Sequence, residues 1–198
     1  MSQLLMKWEA APVDMPEAPV GYRFHRYTRG GDEALTADEF REQWIGIRLG
    51  GKDDMDTLIK WYHTVHDDGR VPDDGFFLVL DSEGKIAASA AVQLGEHTQG
   101  SATVHAVCTS PAHRGHGLGK LVTLAVMDYA QRRGIRDVWL TTDDFRLPAV
   151  KLYLKLGFLP VLYEPDMRGR WLALMEKLGL DEITAWDEDG NKNAIRRG

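Results

Sequence analysis

Residues 107–120, VCTSPAHRGHGLGK, carry the densest chemical information in the chain. An apolar, strand-like run leads into a turn with glycine at 115, 117 and 119. That turn opens a helix whose apolar stripe is Leu118, Leu121, Val122, Ala125 and Tyr129. The first turn of a helix has N–H groups without intrahelical partners and the positive end of the dipole, so it attracts phosphate. Gly115, Gly117 and Gly119 lack the side chains that would hold a pyrophosphate off the backbone. Arg114 and Lys120 add positive charge, and His116 and Leu118 complete the candidate phosphate-binding turn. A P-loop would need glycine at 114 and Ser or Thr at 121, where Leu121 stands. A dinucleotide-binding GxGxxG begun at Gly115 would need glycine at 120, where Lys120 stands. Neither pattern fits.

The stretch resembles the acyl-CoA motif of the GNAT N-acetyltransferase superfamily, (Gln or Arg)-x-x-Gly-x-(Gly or Ala). Arg114, Gly117 and Gly119 fill it, and Pro111 precedes it. A second element, AVKLYLKLGF at 149–158, resembles the superfamily's A-x-x-L-Y-x-x-x-G-F. The two stand in the family's order, and the likeness covers roughly residues 76 to 164 well. It implies a mixed α/β (α+β) fold: a GNAT-like acyl-CoA N-acyltransferase with a twisted sheet of about six or seven strands flanked by helices. The strands ending near Thr109 and Thr142 would splay to admit the pantetheine arm. Val107, Cys108 and Thr109 would present backbone groups to that arm, while 114–120 hold the pyrophosphate. The implied reaction is direct transfer of an acetyl group from acetyl-CoA to a primary amine, with a strand N–H stabilising the oxyanion. Tyr153 matches the general acid that protonates the departing thiolate.

Two positions depart from the family pattern. Arg146 stands where Asn is common, and it either reaches a CoA phosphate or pairs with Asp143 or Asp144. Thr141 stands where some members carry a Glu base. The base is then one of His105, Asp143 and Glu96, or a water relay. His105 is a candidate because imidazole titrates near neutrality, and regular alternation places it on one face with Thr103 and Val107. Cys108 invites an acyl-cysteine route, set against its ordinary role as a small buried apolar residue. His63, His66 and Asp67 lack a third or fourth ligand with metal spacing, so no metal is expected. A non-catalytic acyl-CoA-binding module would need Arg114, Gly117 and Gly119 but not Tyr153, whose presence favours an enzyme.

The elements that must position these groups follow from periodicity. Strands are expected over 21–28, 76–80, 85–94, 101–109, 137–142 and 158–163. Helices are expected from the Thr36 and Glu39 capping box to Gly50, from Asp53 to Gly69, and over stripes closed by Gly134, Gly157 and Leu178. Pro148 suits a helix's first turn. Trp44, Trp61 and Tyr62 on the first two helices are candidates for an acceptor wall. Pro12, Pro16 and Pro19 mark an extended arm over 1–20, followed by one domain over 21–180 and a tail over 181–198.

With 198 residues, 43% hydrophobic, the chain holds enough apolar surface for a packed core and is not intrinsically disordered. Its formal net charge of -6 argues against nucleic-acid binding. No uncharged run is long enough to span a membrane. The first eight residues lack a signal-peptide pattern, and a single cysteine offers no internal disulfide, so a cytoplasmic setting is expected. The partner expected is a small-molecule or peptide amine, and the sequence is compatible with a homodimer.

Overall fold

The computed structural model describes residues 2–28 and 69–197. The expected helices over 36–66, with Trp44, Trp61, Tyr62, His63, His66 and Asp67, lie outside the described residues. Two compact units divide the chain: Ala10–Arg136, and Met1–Glu9 together with Asp137–Gly198.

In the first unit, the run FFLVL makes a strand with every residue buried, β3 (Phe76–Leu80). It pairs antiparallel with β2 (Arg23–Tyr27) on one side and β4 (Ile86–Leu94) on the other. β4 in turn pairs antiparallel with β5 (Ala102–Thr109). Small side chains at Ala87, Ala88, Ala90 and Ala91 let neighbouring layers approach β4 closely. Helix α1 (Leu118–Arg132) packs its buried stripe on one face, where the Tyr129 ring meets Phe77 edge-on at 6.0 Å. Phe77 lies across from Ala90, so Ala91 and its neighbour Phe76 belong to the face turned away from α1.

In the second unit, β1 (Leu4–Glu9) lies between β6 (Asp137–Thr142) and β7 (Leu159–Val161), antiparallel to both. The unit also holds helices α2 (Leu147–Lys155) and α3 (Met167–Leu178), which contact one another. β8 (Glu182–Trp186) joins β7 in parallel and forms a hairpin with β9 (Lys192–Arg196).

The mixed class expected from the sequence is the one observed, with nine strands and three α-helices among the described residues. Two stretches hold strands that the periodicity reading did not suggest. The arm over 1–20 begins as strand β1, whose Leu4, Met6 and Trp8 point into the core while Lys7 and Glu9 point outward. The tail over 181–198 is the β8–β9 hairpin. Only Ala185 and Ile195 in it are buried, so its largely polar composition hides the strand signal.

Candidate active site

The candidate phosphate-binding turn is built entirely in the first unit. β5 ends at Thr109, and its ladder with β4 is prolonged by the Ser110 N–H to the Ala87 carbonyl at 2.9 Å. Pro111–His113 then make one 3₁₀ turn. Gly115 and Gly117 adopt left-handed φ of 85° and 76°, which only glycine takes without strain. Among the described residues a Cβ at either would meet nothing within 4 Å, so with respect to those residues both face open space. Gly117 is the N-cap of α1, and no side chain among the described residues caps the helix there. Its carbonyl accepts the Leu121 N–H at 3.1 Å. The N–H groups of Leu118, Gly119 and Lys120 belong to the turn before the intrahelical ladder begins. Arg114 and Lys120 are exposed beside them. Free donors, open space over the glycines and two cations together fit a pyrophosphate. Leu118 enters this site by its backbone only, because its side chain is core.

β5 carries a bulge at Ala106. The partners run Ala91 with His105 and Ser89 with Cys108, so two residues of β5 oppose Ala90 alone. Ala106 has φ 53°, among the described residues the one non-glycine at positive φ. The Ser89 hydroxyl donates to its carbonyl at 3.3 Å. The bulge corrects the expected alternation: Thr103, His105 and Cys108 share the face turned away from α1, and Val107 drops out of phase with His105. On the same face Gln93 and Thr103 stand directly opposite one another. Both are buried, and Gln93 Oε1 and Thr103 Oγ1 have no hydrogen-bond partner among the described residues. The face therefore offers acceptor oxygens in line with His105, a polar pair that strand periodicity alone does not reveal.

Tyr153 lies in the second unit, on α2, and is 6% exposed. The G-F end of its motif holds it. The Phe158 N–H closes the helix on the Tyr153 carbonyl at 3.0 Å, and Gly157 turns the chain at φ 87°. The Phe158 ring then packs edge-on against Tyr153 at 6.0 Å and tilts onto Trp8 at 6.4 Å. Burial pushes the phenol up to about 12, against a smaller opposing pull from Arg146. Tyr153 thus holds its proton throughout the neutral range.

Arg146, the N-cap residue of α2, pairs with Asp143 (Nε to Oδ2, 3.1 Å) and stands 5.5 Å from the Phe145 ring centre. Asp143 also accepts from Gln3 Nε2 at 3.2 Å. Asp144 is taken up by Arg170, whose guanidinium holds that carboxyl below its usual range. Glu96 lies exposed on the β4–β5 turn, at the opposite end of β5 from the glycine turn. Residues missed by the sequence reading are Tyr22 and Asp81, both of which contact His113 at the base of the glycine turn.

Residues 35–158, more than half of the chain, match the model of the acetyltransferase (GNAT) family. The chain belongs to that family. A mycothiol acetyltransferase of Pseudarthrobacter chlorophenolicus is 29% identical over 179 residues, 83% of this chain and 52% of the relative. A streptothricin acetyltransferase of Streptomyces lavendulae is 30% identical over 91 residues, 46% of this chain and 48% of the relative. A GCN5-related N-acetyltransferase structure from Sphaerobacter thermophilus superposes with a TM-score of 0.56 at 21% identity. That match covers 79% of this chain and 47% of the other, and it shows the GNAT fold. The chain spans about half the length of the curated relatives it matches. No helix among the described residues is long and apolar enough to cross a membrane.

Proposed function

We propose that this GNAT chain transfers the acetyl group of acetyl-CoA to a primary amine by direct attack. The observation that carries this is the uncapped start of α1 under two left-handed glycines that face open space. Acetyl-CoA supplies an acyl group already activated as a thioester. The Leu118, Gly119 and Lys120 N–H groups hold its pyrophosphate, with Arg114 and Lys120 balancing charge. Backbone groups of Val107, Cys108 and Thr109, next to the bulge, orient the pantetheine amides and polarise the acyl carbonyl. Cys108 contributes backbone alone, so no acyl-cysteine is needed.

His105 takes a proton from the acceptor ammonium, which frees the amine lone pair to attack the thioester carbonyl. Its face carries the Gln93 and Thr103 oxygens, which suit an N–H donor. Tyr153 gives its proton to the departing sulfur. A phenol held protonated by burial is present as an acid throughout the neutral range, so its proton can pass to the sulfur as the C–S bond breaks and negative charge builds there. Arg146, occupied by Asp143, shapes the start of α2 and leaves phosphate binding to the glycine turn. The relatives' names make acceptors related to mycothiol and streptothricin the first amines to assay.

The test is release of free CoA thiol from acetyl-CoA with a panel of amines, for wild type and Tyr153→Phe. We expect amine-dependent release that falls about 10²-fold or more in the variant, while acetyl-CoA binding is kept. A variant turning over as fast as wild type removes the acid role. Binding without release for any amine points to an acyl-CoA-binding module.

A further inference from the structure

We propose that Tyr22 is a positioning residue for the glycine turn, acting through His113 and His116; the inference rests on the reading of that turn as the pyrophosphate site. Residues 114–117 are all exposed, and Gly115 and Gly117 give the turn wide conformational freedom. A turn of this kind binds an anion well only when something fixes its shape beforehand.

Tyr22, far away in sequence, supplies that brace. It enters at the foot of β2, where its N–H bonds the Pro19 carbonyl at 3.0 Å. Its ring meets His113 edge-on at 5.6 Å and His116 at 5.5 Å, so it touches both ends of the turn's first half. Its hydroxyl lies 3.0 Å from His113 Nδ1. His113 Nε2 in turn faces Asp81 Oδ2 at 3.6 Å. One neutral tautomer suits both contacts: Tyr22 donates to Nδ1, and Nε2–H points at the carboxylate. Asp81 is itself held, since its other oxygen accepts the Glu83 and Lys85 N–H groups at 2.9 Å each. On the far side, His116 Nδ1–H donates to the carbonyls of His113 and Arg114 at 3.3 and 3.1 Å. Three segments (the foot of β2, the β3–β4 turn and the glycine turn) converge on one imidazole and one phenol. Their effect is to fix the peptide planes that lead to Gly117, and hence where the free N–H groups of α1 lie.

The test pairs calorimetric titration of CoA with amide hydrogen exchange, on wild type, Tyr22→Phe and Tyr22→Ala. Tyr22→Ala is expected to bind CoA about tenfold more weakly, as for the loss of one hydrogen bond and its ring contacts. Tyr22→Phe, which keeps the ring, should stay within about threefold of wild type. Exchange in Tyr22→Ala should quicken over 111–120 and remain unchanged in β3 and β4. Should Tyr22→Ala not fold, His113→Ala is expected to show the same weakening and the same confined exchange. Either alanine variant binding CoA like wild type, or loosening β3 and β4 equally, overturns the brace. Wild type that takes up no CoA overturns the cofactor reading itself, and the brace with it.

Discussion

Tyr153, the proposed acid, owes its raised pKa to burial, and burial also gives it a cost. Its phenol stands near 12, whereas in the unfolded chain it returns to the ordinary 10.0. Below pH 10 both states are protonated and nothing is lost. Between about 10 and 12 the unfolded chain sheds the proton that the folded one keeps, so stability falls as pH rises. The loss is on the order of 2–3 kcal/mol for a shift of this size. Comparing melting at pH 9.5 and 11.5 for wild type and Tyr153→Phe checks it. The wild type should lose more stability over that interval than the variant, and equal losses would contradict the buried phenol. The residue itself was legible from A-x-x-L-Y-x-x-x-G-F because each motif position has a physical task. Gly157 makes the left-handed turn, and Phe158 closes the helix and covers the ring. Arg146 was less legible, since a cation between two carboxylates has several partners on paper and Asp143 only in three dimensions.

At the scale of elements, the bulge in β5 governs which side chains face which way. It is also where strand periodicity misled. Gly117 advertises its positive φ by being glycine, but Ala106 at φ 53° carries no such mark in the sequence. Without the bulge Val107 follows His105; with it Cys108 does. An L-residue there bears about 1–2 kcal/mol of strain, and branching at Cβ adds to it. Ala106→Val should therefore lower stability by at least about 1–2 kcal/mol. Ala106→Gly should leave it within about 1 kcal/mol, since relief of strain offsets the added freedom of the unfolded chain. Chemical denaturation of both variants decides this. Val tolerated as well as Gly would mean that the bulge is absent in solution.

Across the whole molecule, the helices with clear stripes, α1 to α3, the first two with glycine stops, were readable, as were six strands from β2 to β7. The missed strands have two causes. β1 alternates cleanly, but three prolines soon after it draw the eye to an arm. β8 and β9 bury one side chain each, too few to show a period. The brace between Tyr22 and His113 joins residues 91 apart in sequence, and no local pattern encodes that contact. What the chain does show locally, twice over, is a pair of motifs, both inside the residues that match the family model.

The central claim is that the glycine turn is a cofactor site, and calorimetric titration with acetyl-CoA of wild type and Gly117→Glu tests it most directly. The variant places a carboxylate in open space over the first N–H groups of α1, where it repels a pyrophosphate. Saturable binding by wild type, lost at least about 10²-fold in a Gly117→Glu protein that still melts cooperatively, is the predicted result. Equal binding by both, or none by wild type, would contradict it.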